Sequence, residues 1–395
     1  VRNTPWLANI AIALSFLCLP VFLAALVTNA YGQEVPVRGA AGQTAASGSD
    51  PATTGDCRLN PKNLGLNYPW VDDHQGHIQM LWMDDYRREL VEGDLNAISQ
   101  LGVRIIRVFA PLDAVMSFDG ERFNLEPRRA GHVDRFLEAA GRRGMKVILV
   151  MADGNVDEQP QDLAGKFRWN LVQSERGLEA LSAAYVTYVR RFGQHKHVLM
   201  WEVANEPYGN LTWAAFPKQR QVSVEETHRY LRTIYEAIKP LTKAYVGFSD
   251  LHEEQQEKYR LFTSREFREQ YIDDATDVYA LHIYRASPNQ IPDFSELRGK
   301  PKWCSELGSY NYVDETGASH AGQPARGELW NERENLGAVT TIIPKLLDSG
   351  FELVLPWAFT ANEGMVVHRR DGSHELKALP LWLQAQLKHP AGESP

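Results

Sequence analysis

"WEVANEP", residues 201–207, carries an apolar strand straight into a carboxamide, a carboxylate and a proline. The residues just upstream, "HVLM" (197–200), extend the same apolar run. A charged group at the end of such a strand is costly to bury unless something there compensates it. Pro207 has no N–H to give to a ladder, so the strand is expected to stop here and leave Glu206 at its carboxyl rim. Glu202 and Glu206 share one parity, so a regular strand would point both the same way.

Seven more runs of this kind occur: 64–70, 103–110, 145–152, 244–249, 277–284, 300–306 and 351–359. Nearly continuous apolar strands indicate burial on both faces, as in a parallel sheet. Stretches with helical spacing alternate with them at 85–100, 130–143, 175–193, 224–239, 263–272, 327–349 and 375–388, while 285–299 has room for a short helix only. About eight βα units over this length fit an α/β fold of the (β/α)8 TIM-barrel type. A doubly wound open sheet would want a glycine-rich turn after the first strand, and "NYPWVDDHQGH" (67–77) is not one. The long connections, 153–172, 208–222, 285–299 and 308–326, all follow strands, at the end where such barrels hold their sites.

The seventh run repeats the ending of the fourth. In "KPKWCSELG" (300–308) Glu306 closes an apolar strand and Gly308 releases the chain. Strands four and seven face each other across a barrel mouth, so the two carboxyls can approach to about 5–5.5 Å, a spacing that suits double displacement at a sugar. Two carboxyls that close cannot both ionise cheaply; one keeps its proton and can give it to a leaving oxygen, while the other attacks. Cys304 lies two residues before Glu306, on the same face by simple alternation, and reads as a packed thiol.

"NEP" at the end of strand four with a second glutamate at the end of strand seven resembles the clan A glycoside hydrolases, and further motifs point to family 5, the cellulase and mannanase family. Arg107 in "IIRVFA", His282 and Tyr284 in "HIY", and Trp357 in "LPWAF" match in order and strand position. The resemblance runs from about residue 60 to 388. It implies a retaining hydrolase of a β-linked polysaccharide, β-mannan or β-glucan, endo-acting, with Glu206 as general acid/base and Glu306 as nucleophile. It also implies that Asn205 bonds the sugar 2-hydroxyl, that Arg107 and Tyr284 hold Glu306 ionised, that His282 lines the site and that Trp357 floors it. No cofactor is implied. One departure concerns substrate: many members carry a histidine at the end of strand three, where this chain has Asp153 and Asn155 in "VMADGN". A non-catalytic sugar-binding barrel and a transglycosylase of an envelope or secreted polymer are the alternatives.

Composition narrows the partners. With 42 basic and 50 acidic side chains the formal net charge is −8, which disfavours nucleic acid and leaves neutral sugars open. Trp169, Trp213 and Trp330 fall in or beside rim connections and could stack on sugars or pin their own loops. "DDHQGH" (72–77) holds Asp72, Asp73, His74 and His77, but the spacing fits no zinc or calcium pattern, and no metal is assigned. Residues 1–32, with Arg2 before an apolar stretch at 6–27, read as a cleaved secretory signal, the alternative being a membrane anchor with the main domain outside the cytoplasm. Residues 33–56 are rich in Gly, Ala, Ser and Thr and read as a flexible linker. The folded domain is expected over 57–395, as a monomer. Cys57 and Cys304 could pair only after export, and free thiols are the simpler reading.

Overall fold

The structure is a computed structural model. It describes residues 60, 62–69, 86–152, 171–209, 222–251, 262–284, 291, 293–308, 311–313, 319–321, 329–330, 332–359, 366–368, 374–376 and 378–388. All eight apolar runs form strands: β1 (Leu66–Asn67), β2 (Ile105–Phe109), β3 (Lys146–Val150), β4 (Val198–Asn205), β5 (Tyr245–Leu251), β6 (Tyr279–Tyr284), β7 (Lys302–Gly308) and β8 (Leu353–Pro356). They pair in that order in one parallel sheet. A parallel bridge between Leu64 and Val354 joins the last strand to the first, with Gly65 N donating to Val354 O at 3.0 Å and Val354 N to Asn63 O at 2.9 Å. The sheet is therefore a (β/α)8 barrel.

Helices α1 (Arg88–Gln100), α2 (Pro127–Arg142), α3 (Glu175–Phe192), α4 (Val224–Ile238), α5 (Arg265–Tyr271), α6 (Glu332–Asp348) and α7 (Ala378–Lys388) lie in the connections and after β8. Three of their starts carry serine caps. Ser174, Ser223 and Ser264 each accept an N–H from three residues on, and Ser223 forms a reciprocal capping box with Glu226. The described residues between β6 and β7 contain no helix.

Strand parity sorts the side chains into two layers. Ile106, Val108, Val147, Leu149, Trp201, Val203, Val246, Phe248, Leu281 and Ile283 pack outward against the helices. Ile105, Ile148, Met200, Val278, Ala280, Trp303, Leu353 and Leu355 form a separate apolar plug inside the ring, towards its amino end.

Two strands depart from regular alternation, and each does so beside a glutamate. Between β4 and β5, Glu202 pairs with Gly247 but Asn205 pairs with Ser249, so β4 carries one extra residue. Between β6 and β7, Leu281 pairs with Cys304 but His282 pairs with Glu306. These irregularities correct two expectations from simple parity. Glu206 is not aimed by a regular strand, since β4 has already slipped and ends at Asn205. Cys304 does not share a face with Glu306: the extra residue puts its buried free thiol in the outer apolar layer. Cys57 lies outside the described residues.

The segment 308–326, expected as an open loop, contains backbone pairing. Asn311–Val313 pairs antiparallel with Ser319–Ala321 and with Leu329–Trp330. Strands of two or three residues carry too few side chains to show a period, so the sequence pattern missed them. Leu329–Trp330 also belongs to this small sheet, which is why α6 begins at Glu332 and not at 327. Two further hairpins, Met116–Phe118 with Phe123–Leu125 and Val366–His368 with His374–Leu376, lie in the connections after β2 and β8. All three elaborations follow the carboxyl ends of strands.

Candidate active site

Arg107 organises the upper interior. On β2 it follows Ile105 by two residues, so its side chain enters the barrel one layer above the apolar plug. The guanidinium is fully buried, and its Nε and Nη2 form a two-point pair with Glu202 at 2.8 and 2.5 Å. Nη1 donates to Glu306 Oε1 at 2.6 Å and to Asn67 Oδ1 at 3.0 Å. Nη2 also donates to Asn205 Oδ1 at 2.6 Å, with Ser249 Oγ at 3.2 Å. Every N–H of the fork thus has an acceptor. Burial alone would weaken the guanidinium's hold on its proton; Glu202 and Glu306 outweigh it, and the group stays charged.

Glu306 is held on both oxygens. Oε1 takes the Arg107 bond, and Oε2 accepts from the Tyr284 hydroxyl at 2.5 Å. Gly308 has a second purpose beyond releasing the chain, because a Cβ there would sit 2.9 Å from the Tyr284 ring. Arg107 and Tyr284 do favour the ionised form, as does His282. The net direction nevertheless differs from the expectation: burial, helped by the charge of Glu206, raises the Glu306 carboxyl above its ordinary range.

Glu206 approaches from the other side. His282 Nδ1 lies 2.7 Å from Glu206 Oε1 and 3.5 Å from Glu306 Oε2, so one imidazole touches both carboxyls. A ligand atom from each of Glu206, His282 and Glu306 lies within 4.8 Å of the other two. That spacing could also suit an ion, but the Arg107 cation 2.6 Å from Glu306 opposes a second positive charge. Glu206 itself has φ +49°, a left-handed conformation unusual for a residue with a side chain. Trp357 stands at the end of β8, partly buried, its ring edge-on to Phe109 at 6.3 Å. The Trp357–Ala358 peptide is cis.

The sequence-derived set Asn205, Glu206, Arg107, His282, Tyr284 and Glu306 is therefore brought together by direct contacts, and Trp357 stands at the same end of the barrel. The positions Asp72, Asp73, His74, His77, Asp153, Asn155, Trp169 and Trp213 lie outside the described residues. For Trp330 the backbone alone is described. Sequence reasoning passed over Asn67, Ser249 and Asp250. Asn67 accepts from Arg107 and donates through Nδ2 to Ser305 O at 2.8 Å and Leu355 O at 3.1 Å, tying β1 to both β7 and β8. Ser249 donates to Glu202 at 2.5 Å. The signal was available: each is a polar residue ending an apolar strand, the same feature that singled out Glu206.

The family model for cellulase, glycosyl hydrolase family 5, matches residues 67–342, well over half of the chain. The chain belongs to glycoside hydrolase family 5. Solved structures agree on the fold of this family 5 chain. A GH5_18 variant from Streptomyces cattleya, in complex with Manβ1-4GlcNAc, is 16% identical with a TM-score of 0.61, covering 84% of this chain and 82% of that one. The exo-β-1,4-mannosidase Op5Man5 from Opitutaceae bacterium strain TAV5 is 17% identical with a TM-score of 0.58, covering 82% of this chain and 59% of that one. A β-mannanase from the blue mussel Mytilus edulis is 14% identical with a TM-score of 0.54, covering 83% and 92%. No curated protein sequence matches the chain. Membership makes the protein a glycosidase with a carbohydrate substrate. No helix among the described residues is long and apolar enough to cross a membrane, and the apolar run 6–27 lies outside them.

Proposed function

We propose that this family 5 chain is a retaining β-glycosidase that cuts within a β-1,4-linked polysaccharide of mannan or glucan type, exported from the cytoplasm. The observation that carries this reading is the pair Glu206 and Glu306, with carboxyl oxygens within 4.8 Å across His282. Inverting enzymes need about 6.5–9.5 Å between the two groups to seat a water, and retaining ones about 5–5.5 Å. An exo-β-1,4-mannosidase and a β-mannanase among the structural relatives favour trying mannan first.

The roles follow from environment. Glu306, 5% exposed and fixed on both oxygens, is the nucleophile: it attacks the anomeric carbon as the glycosidic C–O bond breaks. Glu206, 16% exposed, can exchange protons with solvent, and it delivers one to the leaving oxygen. In the second half Glu206 takes a proton from water, and that water displaces Glu306 from carbon. Asn205 has its Oδ1 turned to Arg107, which can only donate, so Nδ2 is the atom it offers to a sugar 2-hydroxyl. Trp357 supplies an aromatic face for the ring of the bound sugar. No step needs a cofactor.

The test begins with product analysis on mannan, glucomannan, soluble cellulose and mixed-linkage glucan. Internal cutting gives a ladder of oligosaccharides; release of single sugars only would replace endo by exo action. The ratio of hydrolysis to transfer products separates a hydrolase from a transglycosylase. Glu306→Gln and Glu206→Gln should each lower turnover of the polymer by about 10²–10⁴-fold or more. Azide should rescue Glu306→Ala and yield an α-glycosyl azide. Near-normal turnover in either Gln variant would end the assignment.

A further inference from the structure

Asp250 is a buried carboxylate that this mechanism does not use. It lies on β5 one residue beyond Ser249, so it faces the outer side of the barrel while Ser249 faces the interior. There it sits behind the end of β4. Its Oδ2 accepts from Tyr208 N at 2.7 Å and its Oδ1 from Gly209 N at 3.1 Å, with Leu251 N bonded to Oδ1 at 2.8 Å. Pro207 has no N–H, so Tyr208 and Gly209 supply the first two backbone donors after Glu206. Asp250 takes both. Its position is that of a helix cap supplied from another strand, with Glu206 as the last residue before the captured turn.

Three observations tie this clamp to Glu206. The Glu206 N–H donates to Ser249 O at 2.7 Å, so the residue before Asp250 grips Glu206 from one side while Asp250 grips its successors. Between these grips Glu206 is held at φ +49°, a conformation that persists only when its surroundings impose it. Gly209 also fits closely beside both residues: a Cβ there would meet Asp250 Oδ1 at 3.1 Å, Leu251 Cδ1 at 3.3 Å and Glu206 Cβ at 3.8 Å.

We propose that Asp250 is a positioning residue for the acid/base step: its carboxyl oxygens hold the turn after Glu206 in place and so fix where Glu206 meets the leaving oxygen. The proposal rests on the reading of Glu206 as acid/base. Burial, and after it the charge of Glu206, push the Asp250 carboxyl well above its ordinary range, against the pull of its three N–H donors. Asp250 from β5, His282 from β6 and Glu306 from β7 are ionisable groups that act on Glu206 or are acted on by it. Glu206 and Tyr208 stand in the same relation to Asp250.

The test compares 2,4-dinitrophenyl and phenyl β-mannobiosides, with the cellobiosides in parallel. The first leaving group needs no proton and the second does. Asp250→Asn should lower kcat/KM on the phenyl glycoside by about 10–100-fold, within the range of general acid catalysis, and change the dinitrophenyl value by less than about threefold. Equal losses on both substrates, or no loss on either, overturn the proposal. Glu206→Gln run alongside keeps the two readings apart. If it shows no leaving-group dependence, the acid/base reading fails; if it does and Asp250→Asn does not, only the role of Asp250 fails. Should Asp250→Asn not fold, Gly209→Ala presses on the same clamp. It should show the same split, smaller; a folded Gly209→Ala without the split also overturns the proposal.

Discussion

Two residues along a strand are enough to change the interior of this barrel. On β2 Ile105 is followed by Arg107, on β4 Met200 by Glu202, and on β6 Ala280 by His282. The lower member of each pair belongs to a sealed apolar plug; the upper belongs to a charged network that is just as deeply buried. The plug needs only volume and shape. The network needs a partner for every polar atom, because unpaired charge at that depth costs several kcal/mol per ion. The lower end should therefore govern stability alone, while the upper end couples stability to chemistry through Arg107.

Arg107→Met is the most severe way to probe that coupling. It leaves Glu202 and Glu306 without their cation, and removing one partner of a buried pair costs about 3–5 kcal/mol. The variant should fold poorly at neutral pH, recover some stability in mild acid as the carboxyls take protons, and show no hydrolysis. Urea unfolding at two pH values reads this directly. A variant as stable as the parent would mean that the network contributes nothing to the fold. Met200→Ala, one layer down, should cost about 2–5 kcal/mol through the cavity it opens. Yet kcat per folded molecule should stay within about twofold of the parent, since no atom of the network depends on that methionine. Loss of activity well below the melting temperature would show that the plug also aligns the site.

The same contrast explains what could be read from the chain. The eight strands and seven helices were legible because apolar periodicity is local. Glu206 and Glu306 were legible because polarity at the end of an apolar strand is conspicuous. How they are aimed was not legible. An extra residue in β4 and another in β7 shift each side chain by one position, and a bulge leaves no reliable mark in a single sequence. Parity thus misassigned Cys304, and Asp250, polar though it is near the end of β5, was passed over because its partners are backbone N–H groups of the turn after β4 and of Leu251, which no strand pattern marks. The sign of the Glu306 shift was missed for a similar reason: the sequence names its cation and its tyrosine, but the depth of burial that outweighs them belongs to the folded barrel.

That sign gives the smallest predicted effect. In its proposed role as nucleophile Glu306 must be ionised to attack, so kcat/KM should fall as pH drops through its carboxyl's pKa. Burial sets that pKa above the ordinary 4.5, against the pull of His282, Arg107 and Tyr284. The acid limb should therefore lie on the neutral side of an ordinary glutamate's. Tyr284→Phe removes a hydrogen bond that only the ionised oxygen accepts well, so it should move the limb further up. Met200→Ala should leave it in place, since no charge or hydrogen bond of Glu306 changes. Stability runs the opposite way with pH. A carboxyl raised on folding favours the folded state when protonated, so this contribution is present at acid pH and is lost as pH rises through the raised value. A limb at or below the ordinary position would mean that Arg107 prevails over burial, and the upper interior would then be a better solvent for charge than its depth implies.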